Sequence, residues 1–106
     1  YGGIFLESSC SNNSVTDNVV ETDSYGFYLF TSSNNNLTDN TAAVGATGFA
    51  FFLSNSDNNT LTNNTASSGN YGFYIGSSLY NTIVDCNGTS VDYGLYLSSS
   101  SYNTIS

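Results

Sequence analysis

A repeat of 22–24 residues runs through the chain and constrains its fold more than any other feature. Each repeat opens with a small residue followed by aromatic and aliphatic side chains, as in the segment Gly26-Phe27-Tyr28-Leu29. Self-similarity at such a period is typical of solenoids, in which each repeat forms one coil stacked on the next. The coils are expected to begin near Gly3, Gly26, Ala50, Gly72 and Gly94.

A column of Asn residues recurs at the same period as these aromatic and aliphatic segments. One Asn stands two residues before an aliphatic residue in every repeat, as Asn35 does before Leu37. We expect the column to be structural, because Asn tolerates the left-handed backbone angles of a sharp turn and because stacked amides can hydrogen-bond to one another. Its members are Asn13, Asn35, Asn59, Asn81 and Asn103.

The segments between these positions alternate between apolar and polar residues, which predicts short β-strands rather than helices. Three strands in one repeat cannot bury a face alone, but stacked coils can pair equivalent strands in parallel, ~4.8 Å apart. The predicted fold is therefore all-β, a parallel β-solenoid of about 4.5 coils with three short strands per coil, forming one unit over residues 1–106.

Alternation along each strand also predicts which side chains point into the solenoid. The expected interior consists of Ile4, Leu6, Val15, Val20, Phe27, Leu29, Leu37, Ala42, Phe51, Leu53, Leu61, Ala66, Phe73, Ile75, Ile83, Leu95, Leu97 and Ile105.

The charged residues exclude several classes of function. The chain carries 8 acidic residues, a formal net charge of −8, and no Lys, Arg or His. Nucleic-acid binding through phosphate neutralisation, Ser-His-Asp catalysis, Schiff-base lysines and histidine metal sites therefore lack their essential groups. The sequence contains no hydrophobic run long enough to span a membrane and no recognisable signal peptide.

The recurring pattern of Gly, Ile or Phe, Tyr and Leu, then Ser and Asn-Asn-Thr-Ile/Leu, resembles the right-handed parallel β-helix repeats of the NosD-like, pectate-lyase-like superfamily of the archaeal or bacterial surface-protein type. The resemblance covers essentially the whole chain and implies a right-handed coil. It does not imply one function, because such proteins include polysaccharide lyases, sugar hydrolases, periplasmic accessory proteins, phage tailspikes and surface proteins. The lyases need a basic side chain and the polygalacturonases an Asp-Asp pair with His, Arg and Lys. The chain lacks all of these, and we expect no enzymatic activity.

A second column places carboxylates at one repeat position. Asp17, Asp39 and Asp85 each stand two residues after the inward aliphatic residue, and Asp17 and Asp39 are expected ~4.8 Å apart. That separation is close to the one in a retaining glycosidase pair. We interpret the column as solvated polar positions instead, because it follows the repeat, whereas a catalytic site would interrupt it. We expect no cofactor, and Ca²⁺, which prefers oxygen ligands, is the one metal ion for which these carboxylates are candidates.

An aromatic stripe is expected on the outside of the solenoid. Stacked aromatic neighbours stabilise a sheet, and an exposed stripe of this length is also typical of a contact surface for sugars or for another protein chain. Both interpretations remain open at this point. The stripe consists of Phe5, Tyr28, Phe52, Tyr74 and Tyr96.

Five sequons make N-glycosylation feasible if the chain is secreted, although chance predicts nearly as many from its Asn, Ser and Thr content. The acceptors are Asn12, Asn36, Asn58, Asn63 and Asn87.

The two cysteines, Cys10 and Cys86, occupy different repeat positions three coils apart. A separation of roughly 14 Å at the strand spacing is too large for a disulfide, and Cys86 replaces an Asn of the column Asn18, Asn40 and Asn64.

Neither end of the repeat array shows an evident cap, and repeat proteins need caps to cover an open core. We therefore expect either a piece of a longer solenoid or copies that associate end to end and laterally, with glycans as further candidate partners. The favoured function is a structural subunit of an extracellular or cell-surface filament, sheath or surface layer. The alternatives are a polysaccharide-binding or polysaccharide-degrading fragment and an adhesin or surface-layer segment of a longer protein.

Overall fold

The computed structural model describes residues 2–90 and 92–106, including every side chain in these ranges except those of Ser68 and Ser90. Tyr1 and Val91, which belong to the unit predicted over residues 1–106, lie outside the described residues. The chain winds into four coils of three strands and the first two strands of a fifth. Each of the first four coils contributes one strand to each of three parallel sheets, which confirms the predicted all-β parallel solenoid.

The first strand of every coil lies in sheet A, the second in sheet B and the third in sheet C. Sheet A contains β1 (Ile4–Glu7), β4 (Tyr25–Phe30), β7 (Phe49–Ser54), β10 (Tyr71–Gly76) and β13 (Tyr93–Ser98). Sheet B contains β2 (Ser14–Thr16), β5 (Asn36–Thr38), β8 (Thr60–Thr62), β11 (Thr82–Val84) and β14 (Thr104–Ile105). Sheet C contains β3 (Val19–Thr22), β6 (Thr41–Val44), β9 (Thr65–Ser68) and β12 (Asn87–Ser90).

In-register pairing stacks equivalent positions of successive repeats directly on one another. Leu53, for example, lies opposite Leu29 on one side and Ile75 on the other. Differences in repeat length fall in the connections, since the longest repeat places its additional residues between Val44 and Phe49. Among the described residues no helix is long and apolar enough to cross a bilayer.

The interior is an apolar column enclosed by the three sheets. Phe27, Phe51 and Phe73 form a continuous stack inside it, with ring centroids 4.7 Å apart at both steps. Most of the predicted interior positions are buried or partly buried. Two of them differ, because Leu97 is 37% exposed and Ile105 is 48% exposed. Both lie in the fifth coil, where no further coil among the described residues covers them.

Strict alternation breaks at the second position of the sheet A strands. Gly26 and Phe27 are adjacent and both buried, and a Cβ on Gly26 would lie 2.8 Å from the inward Cβ of Ala42 in sheet C. Sheets A and C therefore approach each other too closely for a large side chain at this corner. The equivalent residue Ala50 is fully buried and was missing from the expected interior. As a consequence, the residue before this break faces outward.

Candidate functional site

The expected aromatic stripe lies on the outer face of sheet A. Its rings contact one another from coil to coil, with centroids 5.2 Å apart for Tyr28 and Phe52 and 4.9 Å apart for Phe52 and Tyr74. Only Phe5, in the first coil, is exposed, and the other members are half-buried. Stacking at the strand spacing stabilises the sheet, as cross-strand aromatic pairs do.

A second aromatic column flanks the stripe and accounts for its partial burial. Tyr25 stacks on Phe49 at 5.3 Å, Phe49 on Tyr71 at 4.9 Å, and Tyr71 on Tyr93 at 5.1 Å. Each of these residues stands three positions before a member of the outward stripe, so strict alternation would point it inward. It points outward instead, because alternation is interrupted at the buried small residue that follows it. An aromatic residue recurs directly before the small residue in four repeats, and this recurrence could have predicted the second column from the sequence.

A groove of about 420 Å³ lies at the end of this aromatic face, in the first two coils. It is lined by Phe5, Glu7, Tyr25 and Tyr28. The Tyr28 ring lies between the other two aromatic rings, 5.5 Å from Phe5 and 5.1 Å from Tyr25, and it is inclined to them by 61° and 55°.

Tyr28 is the titratable group most affected by this environment. Burial raises the pKa of its hydroxyl above the ordinary value, and the neighbouring Glu7 carboxylate and Tyr25 raise it further. At neutral pH the Tyr28 hydroxyl is therefore protonated and can donate a hydrogen bond.

The turns of each coil consist of paired positions, a left-handed residue followed by an inward polar residue. In the second coil Thr31, Asn34 and Asp39 have φ of 51°, 61° and 57°. The residues that follow them, Ser32, Asn35 and Asn40, are buried. The expected Asn column is therefore not itself left-handed, because the residue before each of its members makes the turn.

The Asn column forms a continuous hydrogen-bonded ladder. The backbone N–H of Asn35 donates to Oδ1 of Asn59 at 2.8 Å, and the N–H of Asn59 donates to Oδ1 of Asn81 at 2.8 Å. The side-chain Nδ2 of Asn81 donates to the carbonyl of Ser56 at 3.0 Å. A direct amide-to-amide bond, as the sequence suggested, occurs only between Asn13 and Asn35 among the described members.

Two further ladders accompany the Asn column. The first lies in the same connection between sheets A and B, where the N–H of Ser32 donates to Oγ of Ser56 and the N–H of Ser56 to Oγ of Ser78, both at 3.0 Å. This Ser ladder was not predicted from the sequence, although its members stand three residues before each Asn of the column. The second ladder lies at the corner between sheets B and C, where the N–H of Asn40 donates to Oδ1 of Asn64 at 3.0 Å.

Both cysteines are free thiols, and each takes the place of a ladder residue. Cys86 is half-buried at the corner of Asn64, and its Sγ donates to the carbonyl of Leu61 at 3.4 Å. Burial is the main cause that raises the pKa of the Cys86 thiol. Cys10 is exposed at the position that Ser occupies in later coils.

The acidic column occupies left-handed turn positions. Asp17, Asp39, Asn63 and Asp85 are exposed, with φ between 51° and 57°. Asn63 separates Asp39 from Asp85, and its side-chain amide donates to the Asp39 carboxylate. Within residues 2–90 and 92–106 no three His, Cys, Asp or Glu side chains form a metal-binding group. The turn geometry explains these residue types, because Asp and Asn tolerate left-handed angles.

The five sequon acceptors are all exposed. Asn12, Asn58 and Asn63 are left-handed turn residues, whereas Asn36 and Asn87 lie on strands β5 and β12. Glycosylation of these positions stays a prediction.

A family model described as "Periplasmic copper-binding protein (NosD)" matches residues 1–106. No curated protein and no solved structure gives a match. The family description indicates a periplasmic location, on the envelope side of the cell. Because the match spans the whole sequence and the coils are those of a parallel β-helix, the chain belongs to the NosD family.

Proposed function

We propose that the chain is a structural β-solenoid unit that stacks end to end with further copies of itself into a filament, sheath or surface layer at the cell surface. The role is non-enzymatic. The observation that carries the proposal is the polarity of the turn ladders, since each coil donates backbone N–H groups to side-chain oxygens of the next coil.

This polarity gives the two outer faces of the coil stack complementary chemistry. On the face of the first coil, Oδ1 of Asn13 and of Asn18 accept no hydrogen bond from any described residue. On the face of the fifth coil, the N–H groups of Ser100 and Asn103 donate to no described acceptor. Donors on one face and acceptors on the other suit a head-to-tail contact, which propagates rather than closes.

Exposed apolar side chains at the two end faces also support a head-to-tail contact. Leu97 and Ile105 point along the interior but are 37% and 48% exposed. Ile4 and Val15 are only partly buried in the first coil. Covering such residues with another coil removes apolar surface from water, at roughly 25 cal/mol per Å². Unpaired strand edges at both faces provide the backbone groups for parallel pairing.

The family description names copper, and the residues of this chain do not fit a copper centre. Copper is bound in proteins by imidazole, thiolate and thioether ligands. The sequence contains no His and no Met, and Cys10 and Cys86 stand in different columns three coils apart. The proposal therefore includes no step that depends on copper.

Electron microscopy of the purified chain tests the proposal. We expect long unbranched particles whose number increases with protein concentration, and a mass per length of one chain per 4.5 coils, or about 20 Å. The double substitution Leu97→Asp and Ile105→Asp places charge on one face and should abolish the particles while the circular dichroism spectrum stays that of the parent chain.

The matched control is Thr41→Asp, which adds a charge at an exposed outward position of β6 in the second coil, away from the end faces. It should assemble like the parent chain. Dispersed monomers of the parent chain at high concentration would contradict the proposal, and so would filaments that persist in the double variant.

A further inference from the structure

The groove at the start of the aromatic face exists because one ring column ends there. Phe49 and Tyr71 each stack between two rings of the second column, but Tyr25, at the start of the column, stacks only on Phe49, at 5.3 Å with an interplanar angle of 12°. Continuing the register of β1 and β4 by two residues places Gly2 opposite Tyr25. Gly2 has no side chain, so no ring from residues 2–90 or 92–106 stacks on the second face of Tyr25, and Tyr25 lines the groove.

The other walls combine two aromatic rings with one carboxylate. Phe5 is 36% exposed and Glu7 is exposed, and the two residues alternate with the buried Leu6 on β1. Tyr28 lies between Phe5 and Tyr25 and lines the groove together with Glu7. The volume of about 420 Å³ is within the range of small-molecule sites.

We propose that this groove, lined by Phe5, Glu7, Tyr25 and Tyr28, binds a quaternary or alkylated ammonium cation. Aromatic ring faces carry negative charge density and attract cations, and such cages are the common means by which proteins recognise quaternary ammonium groups. Glu7 supplies a full negative charge at the same site. The net charge of −8, without any Lys or Arg, favours a cation and disfavours an anionic ligand throughout the molecule.

A second groove on the same molecule allows the contribution of the aromatic rings to cation binding to be distinguished from the contribution of negative charge. It has about 480 Å³ and is lined by Glu21, Thr22, Asp23, Ala43, Val44 and Gly45. It therefore offers two carboxylates and no aromatic ring. If charge alone attracted cations this groove would bind them better, whereas the proposal assigns binding to the groove with three rings and one carboxylate.

Titration of the ¹⁵N-labelled chain with tetramethylammonium chloride, at low and constant ionic strength, tests the proposal by nuclear magnetic resonance. The labelled chain carries Leu97→Asp and Ile105→Asp, which keep it dispersed and lie in the fifth coil, away from the groove. Shifts should concentrate on the amides of β1 and the start of β4, with a Kd of about 1 mM. The neutral isostere tert-butanol should bind at least about tenfold more weakly. Choline and phosphatidylcholine vesicles then distinguish a free cation from a lipid headgroup, since the chain sediments with vesicles only if it binds the headgroup.

Variants locate the site. Tyr25→Leu should weaken binding about five- to tenfold, and Glu7→Gln about threefold or more, whereas Tyr28→Phe keeps the ring and should bind within twofold of the parent. Glu7→Gln alters an exposed side chain, so it tests the site even if Tyr25→Leu loosens the stack on Phe49. The matched controls Glu21→Gln and Tyr102→Leu change a carboxylate and a ring outside the groove and should have no effect.

Three results would overturn the proposal. The first is binding of tert-butanol as tight as that of tetramethylammonium, and the second is an equal loss in Glu7→Gln and Glu21→Gln. The third is a response of the groove amides to a neutral oligosaccharide such as cellobiose with no response to tetramethylammonium, which would make the aromatic face a sugar platform instead.

Discussion

At the scale of single residues, two adjacent residues have different roles in each turn. The first residue of each pair adopts a left-handed angle and faces solvent, as Asn58 does with φ of 56°, and the next residue, Asn59, is buried. A left-handed angle costs a non-glycine residue about 1–2 kcal/mol, and Asn and Asp tolerate it best. The buried partner offsets this cost by satisfying backbone groups that no strand pairs.

Removing a buried ladder amide should therefore be costly. In Asn81→Ala the backbone N–H of Asn59 loses its acceptor and the carbonyl of Ser56 loses its donor. We expect the free energy of unfolding in urea to fall by about 2–4 kcal/mol, because each buried unsatisfied group costs about 1–3 kcal/mol. Asn87→Ala, at an exposed position of β12, should change it by less than about 0.5 kcal/mol. Equal losses in the two variants would show that the ladder contributes no specific stability.

At the scale of elements, the sheet A strands carry two outward aromatic columns because they do not alternate throughout. The small residue after the first aromatic lies against sheet C, and a Cβ at Gly26 would be 2.4 Å from the carbonyl oxygen of Ala50. The described side chains of the other two sheets show no such break in their burial, as in β5, where Leu37 alone is buried. The corner between sheets C and A thus decides which rings reach the surface.

Gly26→Ala tests this packing. The added methyl group forces a shift of backbone and of Ala42, and overpacking of this kind costs about 1–3 kcal/mol. Gly94→Ala, at the same position of the fifth coil, is the matched control, since the nearest atom to its Cβ is 3.0 Å away and few atoms surround it. Thermal unfolding should show a clearly lower Tm for Gly26→Ala alone. A larger effect at Gly94 would contradict the packing argument.

At the scale of the whole molecule, each coil contacts mainly the coils on either side of it, so stability is approximately a sum of coil and interface contributions. Leu29, Leu53 and Leu61 in the middle coils are completely buried, whereas Leu97 and Ile105 are not. The central coils are therefore held by two interfaces and the outer coils by one.

Amide hydrogen exchange should reveal this gradient in the dispersed chain. Protection is expected to be highest in β5, β7 and β8 and lowest in β2 and β14, because the outer coils open locally before the whole stack unfolds. The measurement is made at low protein concentration, and assembly of the chain end to end should raise protection selectively in the two outer strands of sheet B, β2 and β14. Uniform protection in the dispersed chain would instead indicate a single all-or-none unit.

Much of this architecture could be predicted because repetition multiplies a weak signal. One Gly-Phe-Tyr-Leu segment is ambiguous, but five equivalent segments in step define coils, strands and inward faces such as those of Phe51 and Leu61. The outward column of Tyr25, Phe49, Tyr71 and Tyr93 could not be predicted by alternation. Its direction depends on how closely sheet C approaches the following small residue, which is a property of two sheets together.

The sequence by itself determined the period, the parallel register and most of the core, because side chains alternate across a strand and equivalent residues recur at a nearly constant distance. Only the tertiary structure decided which donors and acceptors pair within the ladders, and only the tertiary structure formed the groove beside Tyr25 and Glu7. Both depend on which atoms lie directly above and below a residue in the neighbouring coils, and that arises when the coils stack and close the corners between sheets.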